Sequence, residues 1–130
     1  VLSLKSKVVF LKTVPRGAAV GYGATFRARK PTRVATVPLG YADGLPRSLS
    51  GRGSALLGGK RCPIIGTISM DMLMLDATAV PRARVGDDVV FIGRQGSLEL
   101  TAKAQATAAG TIPYETTSAL TSRVPRTYLS

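Results

Sequence analysis

The 130-residue sequence contains no histidine, no tryptophan and a single cysteine, Cys62. Without histidine, the chain cannot form a Ser-His-Asp or Cys-His catalytic site on its own. One cysteine excludes an internal disulfide and a cysteine-based zinc site, and it favours a reducing compartment such as the cytoplasm. No apolar run approaches the roughly 18 residues of a membrane-spanning helix, and no signal-peptide pattern is present, so no membrane partner is expected. These absences exclude several enzyme classes for the chain taken alone.

Acidic residues are also scarce, since 7 Asp and Glu stand against 18 Lys and Arg and the net charge is +11. Because the acidic residues are few and no histidine accompanies them, no metal site is predicted, and Asp87-Asp88 is interpreted as the solvated start of a strand. An excess of positive charge is typical of chains that bind nucleic acid or an anionic surface. Arg27, Arg29, Lys30 and Arg33 lie close together, but few aromatic residues are available for base stacking. A stand-alone basic β module that binds nucleic acid is therefore an alternative hypothesis.

What the chain does contain is a succession of short β-branched runs that glycine and proline separate. Strands are predicted over residues 7–14, 33–39 and 87–92, and a hairpin over residues 54–65 around a Gly-Gly-Lys turn. Residues 51–60 superficially resemble a phosphate-binding loop, but they lack its Lys-Ser or Lys-Thr pair. An alanine-rich helix is predicted over residues 101–109, and a second short helix over residues 113–120. We therefore predict one mainly β domain over residues 1–130, a small β-barrel or Greek-key-like fold with one or two short helices near its C-terminus.

Three tyrosines lie in turn-forming surroundings: Tyr22 between two glycines, Tyr41 in GYADG and Tyr114 directly after a proline. Glycine on both sides of Tyr22 allows a sharp turn from which the phenol could project. A phenol there acts as an acid or a base if a neighbour lowers its pKa from about 10. A tyrosine flanked by glycine is more often a packing residue, and the residues alone leave both interpretations open.

Five ordered blocks resemble the C-terminal domain of bacterial alanine racemases, which are pyridoxal-phosphate enzymes. The blocks are VGYGATF (20–26), VPLGYADGLPR (37–47), KRCPIIGTISMDMLMLD (60–76), GDDVVFIGRQG (86–96) and GTIPYE with RVPR (110–126). The resemblance implies a mainly β domain that follows an N-terminal TIM barrel, and no motif of that barrel is present here. It also implies that the full-length protein is a homodimer that interconverts L- and D-alanine for peptidoglycan. The isolated chain is expected to be inactive, because the barrel supplies the cofactor lysine and most phosphate contacts.

The resemblance implies three roles in the chemistry itself. Tyr22 matches a tyrosine base that reaches into the active site of the partner subunit. Met70 matches the residue whose backbone N–H binds the substrate carboxylate, a task for which backbone donors at a turn are suited. Tyr114 matches a tyrosine that hydrogen-bonds the phosphate of the cofactor.

Other matching positions concern access to the site. Tyr41, Asp71 and Ile112 match residues that line the entrance for substrate at the dimer interface. Many family members carry arginine where this chain has Thr67, so the charge network of that entrance is not carried over. A racemase-like domain that acts on another amino acid is the second alternative hypothesis.

Overall fold

The computed structural model describes residues 3–21 and 26–110. Within them, ten strands, two 3-10 helices and one α-helix follow one another along the chain. The strands are β1 (Leu4–Lys7), β2 (Phe10–Val14), β3 (Ala19–Val20), β4 (Phe26–Arg27), β5 (Thr32–Val37), β6 (Ser54–Leu57), β7 (Lys60–Ile65), β8 (Leu73–Asp76), β9 (Asp88–Gln95) and β10 (Leu98–Leu100). The 3-10 helices are Tyr41–Asp43 and Arg47–Leu49, and α1 is Ala102–Ala109.

Eight of the strands form one antiparallel sheet. Seven of them are neighbours in the order β1-β9-β6-β7-β8-β5-β2, and β10 pairs with the C-terminal end of β9. The two edge strands of the sheet, β1 and β2, are separated in the chain by only Val8 and Val9. Val8 N–H donates to the carbonyl oxygen of Asp87 beside β9 (3.0 Å), whereas Val9 N–H donates to that of Thr36 in β5 (2.9 Å). The two edges are therefore one continuous segment, and the sheet closes into a barrel. This confirms the mainly β class and the small barrel predicted from the sequence.

At two of the corners of the barrel, the chain passes from one pairing partner to another. The first corner is Val8-Val9, which divides the single strand predicted over residues 7–14 into β1 and β2. That prediction was wrong because a β-branched run does not reveal where its partner changes from β9 to β5. The second corner lies in β7, which pairs with β6 through residues 60–63 and with β8 through residues 64–65. The predicted hairpin of β6 and β7 is confirmed, and it accounts for the glycines that resembled a phosphate loop.

The barrel interior holds the principal hydrophobic core. Large side chains that are no more than 1% exposed fill it, among them Leu49, Leu57, Ile64, Leu75 and Phe91. A smaller cluster lies under the β3–β4 ribbon and includes Val14, Val20 and Ile65. Burial of these side chains provides the main driving force for folding.

Helix α1 packs against the barrel through a buried amide. Gln105 Nε2 donates to the carbonyl oxygens of Phe91 (2.6 Å) and Ser54 (2.8 Å), so the helix is tied to two strands. Thr101 caps the helix by accepting a hydrogen bond from Ala104 N–H at 3.0 Å, as its sequence predicts. The second helix, predicted over residues 113–120, lies outside the described residues. In the part of the chain that is described, no helix is long and apolar enough to cross a membrane.

Candidate functional site

The candidate site is built on the connection between β7 and β8, residues 66–72, which we call the site loop. Ser69 closes a turn within it, because its N–H and its hydroxyl each donate to the Met72 carbonyl oxygen at 3.0 Å. Met72 N–H donates back to Ser69 Oγ at 3.2 Å. This turn places Met70, 53% exposed, and the exposed Asp71 at the tip of the loop.

A second turn, residues 40–43, packs against the site loop, and we call it the Tyr41 turn. Tyr41 N–H donates to the Ser69 carbonyl oxygen at 3.0 Å, and Ala42 N–H donates to the Met70 carbonyl oxygen at 2.9 Å. Two consecutive N–H groups of one turn thus bond two consecutive carbonyls of the other. This pairing brings together the predicted site residues Tyr41, Met70 and Asp71, although the first two are 29 positions apart in the sequence.

The first and last residues of the Tyr41 turn hold it in shape. Asp43 is buried, and its Oδ2 accepts the Gly40 N–H at 2.9 Å. A Cβ added to Gly40 would lie 2.3 Å from the Ser69 carbonyl oxygen and 2.6 Å from Asp71 N. Only glycine therefore allows the two turns to approach this closely.

Tyr22 lies outside the described residues, but its neighbour Gly21 lies directly against the base of the site loop. A Cβ added to Gly66 would lie 2.6 Å from the Val20 carbonyl oxygen and 3.0 Å from Gly21 Cα. Gly66 also has φ +71°, a left-handed conformation that favours glycine. This glycine–glycine contact brings the end of β3 to the strand that leads to Met70.

Three large apolar or aromatic side chains, Tyr41, Met70 and Met72, are exposed around the two turns. Tyr41 and Met72 are 44% and 39% exposed, and Met70 lies between them in the paired turns. The Arg47 guanidinium lies 5.7 Å from the centre of the Tyr41 ring, a cation–π contact. An adjoining depression of about 320 Å³ is lined by Gly21, Thr67, Ser69, Met72, Leu73 and Met74. No charged side chain lines it among the described residues.

The sequence-predicted site residues divide into two groups. The described residues include Tyr41, Met70 and Asp71, which meet in one place, whereas Tyr22, Ile112 and Tyr114 lie outside the described residues. The sequence analysis missed Gly40, Asp43 and Gly66, which shape the site without being part of its chemistry. The density of turn-forming residues in GYADG was the signal for the first two, but nothing local indicates what the turn packs against.

Two arginines of the basic cluster that suggested nucleic-acid binding, Arg27 and Arg33, bind backbone carbonyls within the fold. The Arg33 guanidinium donates to the carbonyl oxygens of Val80 (3.0 Å), Pro81 (2.5 Å) and Ala83 (2.6 Å). Arg27 Nη1 donates to the Gly17 carbonyl oxygen at 3.2 Å. These bonds fix loops of the barrel, and those of Arg33 use three of the five donor N–H groups of its guanidinium.

The cysteine and the acidic residues do not form a reactive centre. Cys62 is 1% exposed, and burial raises the pKa of its thiol to about 11, so the thiolate is absent at neutral pH. In the described ranges, no three Cys, Asp or Glu side chains are grouped so that they could hold a metal ion.

Comparisons of sequence and of structure with known proteins identify relatives from a single family. A profile of the family described as "Alanine racemase, C-terminal domain" matches residues 1–128. The alanine racemase of Sorangium cellulosum is 48% identical over 132 residues, which cover 98% of this chain and 35% of that protein.

The solved alanine racemase of Bacillus anthracis "with bound L-Ala-P" is 38% identical with a TM-score of 0.91, covering 98% of this chain and 32% of that one. The Bartonella henselae enzyme "with covalently bound pyridoxal phosphate" is 35% identical with a TM-score of 0.91, covering 98% and 34%. The chain thus spans about a third of the length of these relatives.

Proposed function

The chain belongs to the family of alanine racemase C-terminal domains, and from this we propose that it is the C-terminal β domain of a longer, pyridoxal-phosphate-dependent alanine racemase. The remaining two thirds of that protein would be an N-terminal TIM-barrel domain, and the isolated β domain would be inactive. One observation carries the proposal: the Tyr41 turn and the site loop pair on an exposed surface that Gly21, the neighbour of Tyr22, adjoins. The proposed reaction is the interconversion of L- and D-alanine in the cytoplasm, which supplies D-alanine for peptidoglycan.

Racemisation requires a proton to leave Cα on one face and another to return on the opposite face. We assign the phenol oxygen of Tyr22 to one face, where it takes or returns the proton as a general base or acid. The Met70 N–H would bind the substrate carboxylate and so fix the position of Cα relative to that phenol. Tyr41 and Asp71 would line the entrance for substrate, together with Ile112.

The described residues supply only part of what the cofactor needs. Pyridoxal phosphate, when bound, stabilises the negative charge that proton removal leaves on Cα. The depression beside the site loop is lined by glycine, hydroxyl and apolar side chains and by no lysine or arginine, so these residues do not fit the phosphate or the aldehyde. We therefore propose that the N-terminal domain holds the cofactor and that Tyr114 contributes one phosphate contact.

The exposed apolar side chains of the site indicate a covering partner. Tyr41, Met70 and Met72 lie in the paired turns and are between 39% and 53% exposed. We propose that they face a TIM barrel of the same homodimer, with the partner subunit completing the active site. Racemisation of a second amino acid, the other substrate hypothesis, is tested in the same assay.

The experiment joins this domain to its native N-terminal domain and replaces Tyr22 with phenylalanine. We expect racemisation to fall by roughly 10²–10⁴-fold, the usual contribution of a general base or acid. Rates are measured in both directions, with serine offered beside alanine. The matched control is Tyr128→Phe, the same change at a tyrosine to which no role is assigned. Near-parental rates for Tyr22→Phe in both directions would contradict the assignment of the base.

A further inference from the structure

We propose that Asp43 and Gly40 are positioning residues that set the direction of the Met70 backbone N–H. The inference rests on the proposed function, because it concerns the N–H that we assign to the substrate carboxylate. Neither residue faces the exposed surface, since both are buried. Their effect would pass through the backbone of the Tyr41 turn to the backbone of the site loop.

The direction of the Met70 N–H follows from the geometry of the peptide bond. In a trans peptide, the carbonyl and the following N–H point in opposite directions within one plane, and the described chain contains no cis peptide. The Ser69 carbonyl belongs to the same peptide as the Met70 N–H, and its oxygen is bonded to Tyr41 N–H at 3.0 Å. The Met70 N–H therefore points away from the Tyr41 turn.

The next peptide is oriented in the same way. The Met70 carbonyl oxygen is bonded to Ala42 N–H at 2.9 Å, so the Asp71 N–H also points away from the Tyr41 turn. Within residues 3–21 and 26–110, neither N–H donates a hydrogen bond. Two adjacent backbone donors directed outward from a fixed turn suit a carboxylate, which accepts hydrogen bonds at both oxygens.

The Tyr41 turn can orient these peptides only if its own donors are fixed. Asp43 closes the turn by accepting the Gly40 N–H at 2.9 Å, and a hydrogen bond to a charged acceptor is stronger than one between neutral groups. Gly40 allows the approach, because a Cβ there would meet the Ser69 carbonyl oxygen at 2.3 Å. If Asp43 loses its carboxylate, the turn loosens, and the donors for both carbonyls of the site loop lose their fixed position.

The barrel offers a matched control for a purely structural effect. Asp87 Oδ2 accepts the Arg84 N–H at 2.9 Å, across the same separation of three residues as Asp43 and Gly40. The turn of Asp87 precedes β9 and carries none of the site residues. Asp87→Ala therefore removes a bond between the same groups, at the surface instead of in a buried turn, without touching the site loop.

The experiment uses the full-length enzyme and compares Asp43→Ala with Asp87→Ala. We expect Asp43→Ala to raise KM for both alanine enantiomers roughly ten-fold with little change in kcat, the equivalent of about 1.4 kcal/mol of carboxylate binding. Competitive inhibition by propionate, which carries a carboxylate but no amine, should weaken by the same factor. Inhibition by ethylamine, which has no carboxylate, should stay at its parental value. Asp87→Ala should leave KM and both inhibition constants unchanged.

The outcomes separate this inference from the proposed function. A full-length parent without racemase activity would refute the proposed function itself, whereas undiminished activity of Tyr22→Phe would refute only the assignment of the base. An active parent in which Asp43→Ala changes KM no more than Asp87→Ala does would overturn the positioning role alone. If Asp43→Ala does not fold, Asp43→Asn becomes the test variant, because asparagine keeps an oxygen acceptor but lacks the negative charge. A rise in its KM of at least about two-fold at constant kcat supports the role. An unchanged KM with a lowered melting temperature overturns it.

Discussion

The contact between Gly66 and the end of β3 makes a sharp prediction for Gly66→Ala. The alanine Cβ would lie 2.6 Å from the Val20 carbonyl oxygen and 3.0 Å from Gly21 Cα, both of which are backbone atoms. Because backbone cannot rotate away as a side chain does, β3 and the site loop must separate. The substitution should therefore lower stability and also displace Tyr22, which follows Gly21 directly.

The loss of stability expected for Gly66→Ala has two causes, and Gly51→Ala is a control that separates them. Gly66 has φ +71°, and a left-handed conformation costs alanine about 1 kcal/mol. Gly51 has the same φ of +71°, but a Cβ there would meet no atom within 4 Å. Gly51→Ala should therefore cost about 1 kcal/mol. Gly66→Ala should cost roughly 3 kcal/mol, because overpacking at a rigid contact adds roughly 2 kcal/mol.

The assay is urea unfolding of the 130-residue chain, followed by far-ultraviolet circular dichroism, with racemisation by the full-length enzyme measured in parallel. In thermal unfolding, the extra 2 kcal/mol or so should lower the melting temperature by roughly 6–10 °C beyond the control. Racemisation should fall for Gly66→Ala and stay near the parental rate for Gly51→Ala. If both variants lose the same stability, the glycine–glycine contact is not the constraint that we infer, and the reasoning fails.

Two further predictions concern the barrel itself. Gln105→Ala removes the amide that bonds the buried Phe91 carbonyl and the partly buried Ser54 carbonyl, so it should lower the free energy of unfolding in urea by roughly 2–3 kcal/mol. Thr107→Ala, at an exposed position of the same helix, should change that free energy by less than about 0.5 kcal/mol. For Cys62, the folded-state pKa of about 11 lies above the ordinary value of 9.0, so the stabilisation from the neutral thiol is complete below pH 9 and is lost as pH rises towards 11. The free energy of unfolding of the parent should therefore fall relative to that of Cys62→Ala between pH 9 and pH 11. Thiol reagents at pH 8 should react with Cys62 only after the protein unfolds. Rapid labelling of the native protein at pH 8 would contradict the burial argument.

Local features of the fold could be predicted from the sequence because they depend on neighbouring residues. The hairpin of β6 and β7 follows from two β-branched runs around a glycine turn, and α1 follows from Thr101 as its cap. The corner at Val8-Val9 could not be predicted, since both valines suit a strand and only the distant partners differ. The same limit applied to Arg33, whose charge suggested phosphate binding although its guanidinium binds three carbonyls of a later loop.

By itself, the sequence determined the mainly β class, the family resemblance and the residue types at the site, because motif order and turn chemistry are properties of the linear chain. The tertiary structure alone decided that the Tyr41 turn lies on the site loop and that Gly21 lies on Gly66. These contacts join residues that are far apart in the chain, and they depend on the absence of a Cβ at two glycines. No local sequence pattern predicts such a contact, because the sequence does not distinguish a glycine that a turn requires from a glycine that a close backbone contact requires. The direction of the Met70 N–H, on which the proposed substrate binding depends, follows from that packing.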